Sequence, residues 1–176
     1  GMVPTTSTSI TLLFGDCLSV ALMSKIKFSK DRFKIFHPGG NIGQALLLVK
    51  DIMLKGKKLP TISINRTIED AIKVINLKKL GIVVVTKNNY VKGFLTDGDC
   101  RRAIKRLKKD DKIKKFMTLK PLFVTENTTA SKALAIMNEH KITSLLVKND
   151  TSPKKKKEIK LKGIVHIHSL LQYGLK

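Results

Sequence analysis

Thr67-Ile-Glu-Asp-Ala-Ile-Lys-Val-Ile75 returns 62 residues later as Thr129-Ala-Ser-Lys-Ala-Leu-Ala-Ile-Met137. The same offset carries Lys79-Leu-Gly-Ile-Val-Val-Val85 onto Lys141-Ile-Thr-Ser-Leu-Leu-Val147, and an offset of 70 carries Gly93-Phe-Leu95 onto Gly163-Ile-Val165. Self-similarity over such a distance defines the folding unit before any element is assigned. Within each copy the pattern predicts a strand, a helix, a strand, a hairpin, a strand and a helix. In the first copy Thr61 to Ile64 is a short strand, and Thr67 caps a helix from Ile68 to about Lys78. Ile82 to Val85 is a buried strand, and Asn88-Asn89 turns the chain into Val91 to Leu95. The change of offset puts eight extra residues into the second hairpin, in the polar stretch Thr151-Ser-Pro-Lys-Lys-Lys-Lys157, which suits an exposed tip. One such unit leaves a sheet face uncovered, so two copies are expected to pack on each other as an α/β (α+β) pair of βαββα units. Two copies of this length do not make a solenoid.

Working outward, the remaining composition bounds the class. The chain has 176 residues, 42% hydrophobic and 27% charged, enough to bury a core in one or two compact domains. Its longest apolar stretch, Ile10 to Ile26, is interrupted by Gly15, Asp16 and Lys25. It therefore reads as a buried helix over residues 9 to 26, capped by Ser9, and not as a membrane span. Lys and Arg are absent before Ile10, unlike the charged start of a secretory signal, so a cytoplasmic protein is expected. Cys17 and Cys100 lack metal-knuckle spacing and read as reduced thiols.

The formal charge of +22 invites a nucleic-acid reading. Five of the 35 basic residues are Arg, whereas base-edge recognition leans on the Arg fork; the lysines are dispersed, without interleaved aromatics. A solvated lysine surface with weak, salt-sensitive polyanion binding accounts for them, and no specific nucleic-acid partner is expected.

Ser29 reads as the cap of a second short helix that stops at His37-Pro-Gly-Gly40, and a further helix is expected from about Ile42 to Val49. His166 and His168 would share one side of an extended strand, a spacing that suggests a metal pair. With no third ligand they read as packed or surface histidines, and no metal site is expected.

Three features together resemble a tandem pair of CBS repeats: the starts Asp51-Ile-Met53 and Phe116-Met-Thr118, the strand starts Pro60 and Pro121, and the exit Gly93-Phe-Leu-Thr-Asp-Gly-Asp99. The resemblance covers residues 51 to 176 and implies repeats at 51–112 and 113–176. It also implies a nucleotide site in which Asp99 accepts from ribose hydroxyls and Thr96 lies near phosphate at a helix N-terminus, with Arg101 and Arg102 behind them as cationic donors. On local sequence alone, Asp99 reads instead as the N-cap of a helix from Cys100 to Leu107. The second copy has Ser169 where the family's Asp belongs, which puts ribose recognition there in doubt.

Residues 1–50 add a second resemblance. Val3 to Thr8, Gly15 to Leu22 and His37-Pro-Gly-Gly-Asn-Ile-Gly43, running into Leu46 to Met53, resemble the end of the sugar isomerase (SIS) domain of arabinose-5-phosphate isomerases. The resemblance implies an aldose-ketose isomerase acting between ribulose 5-phosphate and arabinose 5-phosphate in lipopolysaccharide (Kdo) synthesis. His37 stands at the catalytic-histidine position, and an imidazole suits proton transfer through an enediol; as a structural alternative, His37 caps a helix end in a turn. The segments that would supply the rest of that active site are not in these 50 residues, so the chain alone is not expected to isomerise sugars. No cofactor is required. A regulatory nucleotide or CMP-sugar such as CMP-Kdo is the expected ligand, with homo-oligomers formed through the CBS pairs and no membrane partner. A non-catalytic dimerisation scaffold with empty pockets is the alternative, and polyanion binding a remote one.

Overall fold

The computed structural model describes residues 2–29, 32–33, 36, 43–44, 46–104, 111–149 and 159–175. The chain divides into two units, Gly1–Gly43 and Gln44–Lys176.

The first unit is dominated by helix α1, Thr5–Lys25. It starts four residues earlier than the Ser9 cap predicts, because Pro4 occupies the cap position and its carbonyl accepts from the Thr8 amide at 3.1 Å. The expectation of a buried helix is not met in this chain. No residue of α1 is buried, and Leu12, Leu13 and Phe14 are each about two-thirds exposed. Its apolar residues surround the helix instead of forming one stripe. By length and composition alone α1 could reach across a bilayer, a property shared by core helices of soluble proteins. Ser29 caps the next turn, accepting from the Arg32 amide at 3.2 Å. The helix expected at 42 to 49 has ended by Leu46. Leu47 accepts from the Ala130 amide and Leu48 bridges to Thr129, contacts that need extended backbone, and a separate turn forms at Val49–Ile52.

The second unit holds both repeats. The first contributes β1 (Thr61–Ser63), α2 (Ile68–Lys78), β2 (Ile82–Lys87), β3 (Tyr90–Thr96) and α3 (Asp97–Ile104). The second contributes β4 (Phe123–Thr125), α4 (Ala130–Glu139), β5 (Ser144–Lys148), β6 (Gly163–His166) and α5 (Ile167–Gln172). Each sheet is ordered first, second, third strand, with a parallel pair followed by an antiparallel one. Thr67 caps α2 as predicted, in a reciprocal box with Asp70. Asn88 and Asn89 form the predicted turn at φ 52° and 66°, a left-handed pair that Asn tolerates well. The polar tip at 151–157 lies outside the described residues.

Strand alternation explains how the repeats meet. Val83 and Val85 point into a core with Ile68, Ile75 and Leu95, while Val84 joins Leu146, Val91 and Ile164 in a cluster between the sheets. Leu145 and Val147 likewise point into the second core, and Leu146 stands at the position equivalent to Val84.

The leading segments change places. Leu54 pairs with Ile164 of the second repeat, and Thr118 pairs with Phe94 of the first, each through two backbone hydrogen bonds. Met53 is accordingly buried in the second core, and Met117 packs on the first. Register also corrects the equivalence of Pro60 and Pro121. Pro60 and Leu122 are the counterparts, since their carbonyls accept from the equivalent amides of Val84 and Leu146.

Candidate nucleotide site between the repeats

β2 and β3 end side by side, with Ile82 opposite Thr96, and β5 and β6 end with Ser144 opposite His166. A cleft of about 400 Å³ opens between the Ile82–Thr96 end of the first sheet and the Ser144 end of β5. The first repeat lines it with Gly81, Ile82, Phe94 and Thr96. The second adds Lys120, Pro121 and Leu122, the turn from His140 to Thr143, then Ser144 and Leu146. Ile82, Phe94, Leu122 and Leu146 make an apolar wall across both repeats, and Thr96, Lys120, His140, Lys141, Thr143 and Ser144 bring polar groups. Among the described residues Ser144 Oγ is the buried side-chain polar atom without a hydrogen-bond partner, and a buried hydroxyl in that state is costly.

Thr96 and Asp99 form a capping box at the start of α3. Asp99 Oδ2 accepts from the Thr96 amide at 2.9 Å and from its hydroxyl at 2.8 Å, and Thr96 Oγ1 accepts from the Asp99 amide at 3.3 Å. The reading of Asp99 as N-cap is corrected by one turn: Thr96 is the cap, and Asp99 is the third residue of the box. The helix begins at Asp97 because this box satisfies its first amides, and the end expected at Leu107 lies outside the described residues. Asp99 Oδ1 accepts from Arg102 Nη2 at 2.7 Å, an ion pair whose Arg side chain is mostly exposed. Asp99 and Arg102 flank a neighbouring hollow with Lys115 and Phe116. Arg101 faces a different hollow, with Ile72 and Asn76, so Thr96, Asp99 and Arg102 come together and Arg101 does not join them. His37 lies outside the described residues.

In the second repeat His166 takes the place of Thr96. Its Nδ1 accepts from the His168 amide at 3.2 Å, capping α5, and the two rings lie 4.9 Å apart. The strand ends at His166, so the expectation that the histidines share one side of an extended strand does not hold: His168 is helical. Burial, with a smaller contribution from His168, lowers the His166 pKa below the usual 6.5. No group of three or more His, Cys, Asp or Glu residues among those described could hold a metal ion. Cys17 and Cys100 are both free thiols, one exposed and one buried.

Sequence reasoning missed Lys120, His140, Lys141, Thr143 and Ser144. The available signal was the repeat itself, in which Thr143-Ser144 replaces Gly81-Ile82 at the start of a buried strand.

The CBS domain family model matches residues 49–106 and 113–176. The chain belongs to the CBS domain family. As a fold, the CBS pair resembles that of protein MJ0100 in complex with 5'-methylthioadenosine and S-adenosyl-L-methionine, with a TM-score of 0.60, 20% identity, and coverage of 72% of this chain and 94% of that one. It likewise resembles CBSX2 in complex with AMP, with a TM-score of 0.61, 21% identity, and coverage of 73% and 96%. Over 99% of its length the chain is 38% identical to arabinose 5-phosphate isomerase KdsD of Yersinia pestis, of which it covers 52%. It thus spans about half the length of the curated relatives it matches.

Proposed function

We propose that the CBS pair binds a nucleotide or nucleotide sugar in the cleft between its repeats and thereby regulates a sugar-phosphate isomerase of the arabinose-5-phosphate type. The observation that carries the reading is the unpartnered Ser144 hydroxyl, buried in a cleft also lined by Lys120, His140 and Lys141. Donors of this kind suit a phosphate, and the apolar wall of Ile82, Phe94 and Leu146 suits a flat base. Thr96 lines the cleft and is bonded to Asp99, which with Arg102 lines a second hollow; in this reading one remaining Asp99 lone pair would meet a ribose hydroxyl.

Adenosine compounds bound to CBS pairs of similar fold, 5'-methylthioadenosine and S-adenosyl-L-methionine in one and the nucleotide AMP in another, support the ligand class, and the isomerases among the relatives support the regulated activity. In this reading residues 1–50 are the end of the SIS domain, followed by repeats at 51–112 and 113–176, and His37 is the base of the isomerisation. The protein works in the cytoplasm as a homo-oligomer joined through CBS pairs. Regulation requires a ligand that distinguishes two states of the protein, and an end product such as CMP-Kdo would give feedback.

Thermal shift and calorimetry with AMP, ATP, CMP and CMP-Kdo test the reading. A ligand that binds the native state raises the melting temperature. No shift with any of the four at millimolar concentration would leave the ligand-free dimerisation scaffold as the better account.

A further inference from the structure

The chain that leads into the first repeat is bonded to the second. Leu47 accepts from the Ala130 amide at 2.8 Å, the Val49 amide donates to the Thr128 carbonyl at 2.8 Å, and the Lys50 amide donates to the Glu126 carbonyl at 2.9 Å. Val49 is fully buried, in the core cluster that also holds Ala130, Ala133, Leu134 and Met137 of α4. The corresponding place in the first repeat holds a different segment. There Lys112 bridges to Thr67 and the Ile113 amide donates to the Arg66 carbonyl at 3.1 Å, so the start of α2 receives the connection between the repeats.

α4 joins this entry to the cleft. Its first amide, that of Ala130, holds Leu47, and its last turn runs into His140 and Lys141, where the Ile142 amide donates to the Met137 carbonyl at 2.9 Å. His140 to Ser144 then line the cleft. The helix between is ten residues, about 15 Å long, and four of its residues are buried in a close-packed core, so it moves as a unit. α2 also leads to the cleft, at Gly81 and Ile82, but its start is bonded to the connection between the repeats and not to residues 47–50. The Ser144 hydroxyl supplies the bias. Buried without a partner, it favours the position of the turn in which a ligand atom satisfies it, and a ligand shifts an equilibrium only through such a difference.

We infer that ligand binding is passed to the chain preceding residue 47 through the second repeat: α4 couples the His140–Ser144 turn to the pairing of Leu47–Lys50 with Glu126–Ala130. The inference rests on the nucleotide reading above and adds the route of regulation to it.

Hydrogen exchange followed by NMR tests it on the full chain, without ligand and saturated with whichever of AMP, ATP, CMP and CMP-Kdo binds most tightly by calorimetry. Ligand should slow exchange of the Val49 and Lys50 amides at least about fivefold, the low end of measured allosteric couplings. Because coupling is reciprocal, Val49→Ala, which loosens the pairing far from the cleft, should weaken ligand binding by a similar factor. Ile113→Ala, the counterpart in the first core, should stay within about twofold of the parent affinity. Should either variant fail to fold, the exchange measurement on the parent chain decides. Unchanged exchange at Val49 and Lys50 with ligand bound, or equal losses of affinity in the two variants, would overturn the route and leave the nucleotide reading standing. If none of the four compounds gives heat, both readings fall.

Discussion

A methyl group placed on Gly93 would sit 2.6 Å from the carbonyl oxygen of Thr118. That oxygen accepts from the Phe94 amide at 3.0 Å, so the close approach is part of the joint in which the second repeat's leading segment docks on the first. The counterpart is Gly163, where a methyl would meet Met53 Sδ at 2.6 Å and the Leu54 carbonyl at 2.9 Å. Both glycines serve backbone proximity, and neither has a positive φ.

Replacing either glycine by Ala should cost about 1–3 kcal/mol, the range for forcing extra volume into a packed site. Urea unfolding would record it as a lower midpoint with little change in slope. Gly98→Ala is the control. A methyl there meets the Arg102 guanidinium at 3.4 Å and Thr96 Oγ1 at 3.7 Å, both ordinary contacts, and removing a helical glycine should stabilise by about 0.5–1 kcal/mol. Equal losses at all three sites would contradict the packing argument.

Thr96 has a structural task whether or not a ligand binds. Thr96→Ala removes the cap of α3, as Thr67→Ala removes that of α2, and each should cost about 1 kcal/mol without any nucleotide present. Equilibrium unfolding of the ligand-free protein checks this. A neutral effect for Thr96→Ala would mean that the box with Asp99 does not hold the helix start.

The His166 cap predicts a pH dependence. Because burial lowers its pKa in the folded state, the unfolded chain takes up the proton first as pH falls. The native state keeps its full stability above about 6.5 and loses it progressively below, until the folded imidazole is itself protonated. Protonation at Nδ1 also removes the acceptor for the His168 amide. The slope of stability against pH between 7.5 and 5 should be smaller in His166→Asn, which keeps an acceptor and does not titrate. An unchanged slope would assign the effect to other histidines.

The two thiols should react at different rates. Cys17 is exposed, whereas Cys100 is buried, with its pKa raised first by burial and then by Asp97 and Asp99. A chromogenic disulfide reagent should label one thiol rapidly under native conditions and the second only on unfolding. Rapid labelling of both would show that α3 opens readily.

By itself the sequence determined the repeat, the order of strands and helices within it, the Thr67 cap and the Asn88-Asn89 turn. Each depends on residues near one another in the chain, where period, cap chemistry and turn preference act directly. The Thr96–Asp99 box was equally local and legible, as a second Thr-x-x-Asp like Thr67–Asp70. The exchange of leading segments, the one-residue slip between Pro60 and Pro121, and the meeting of Thr96 with Ser144 were decided only in three dimensions. Backbone pairing between distant segments sets register, and it brings side chains 48 residues apart to one cleft without leaving a local pattern. The same reason explains α1: its apolar residues announce a helix, but what covers them depends on tertiary contacts that helix periodicity does not encode.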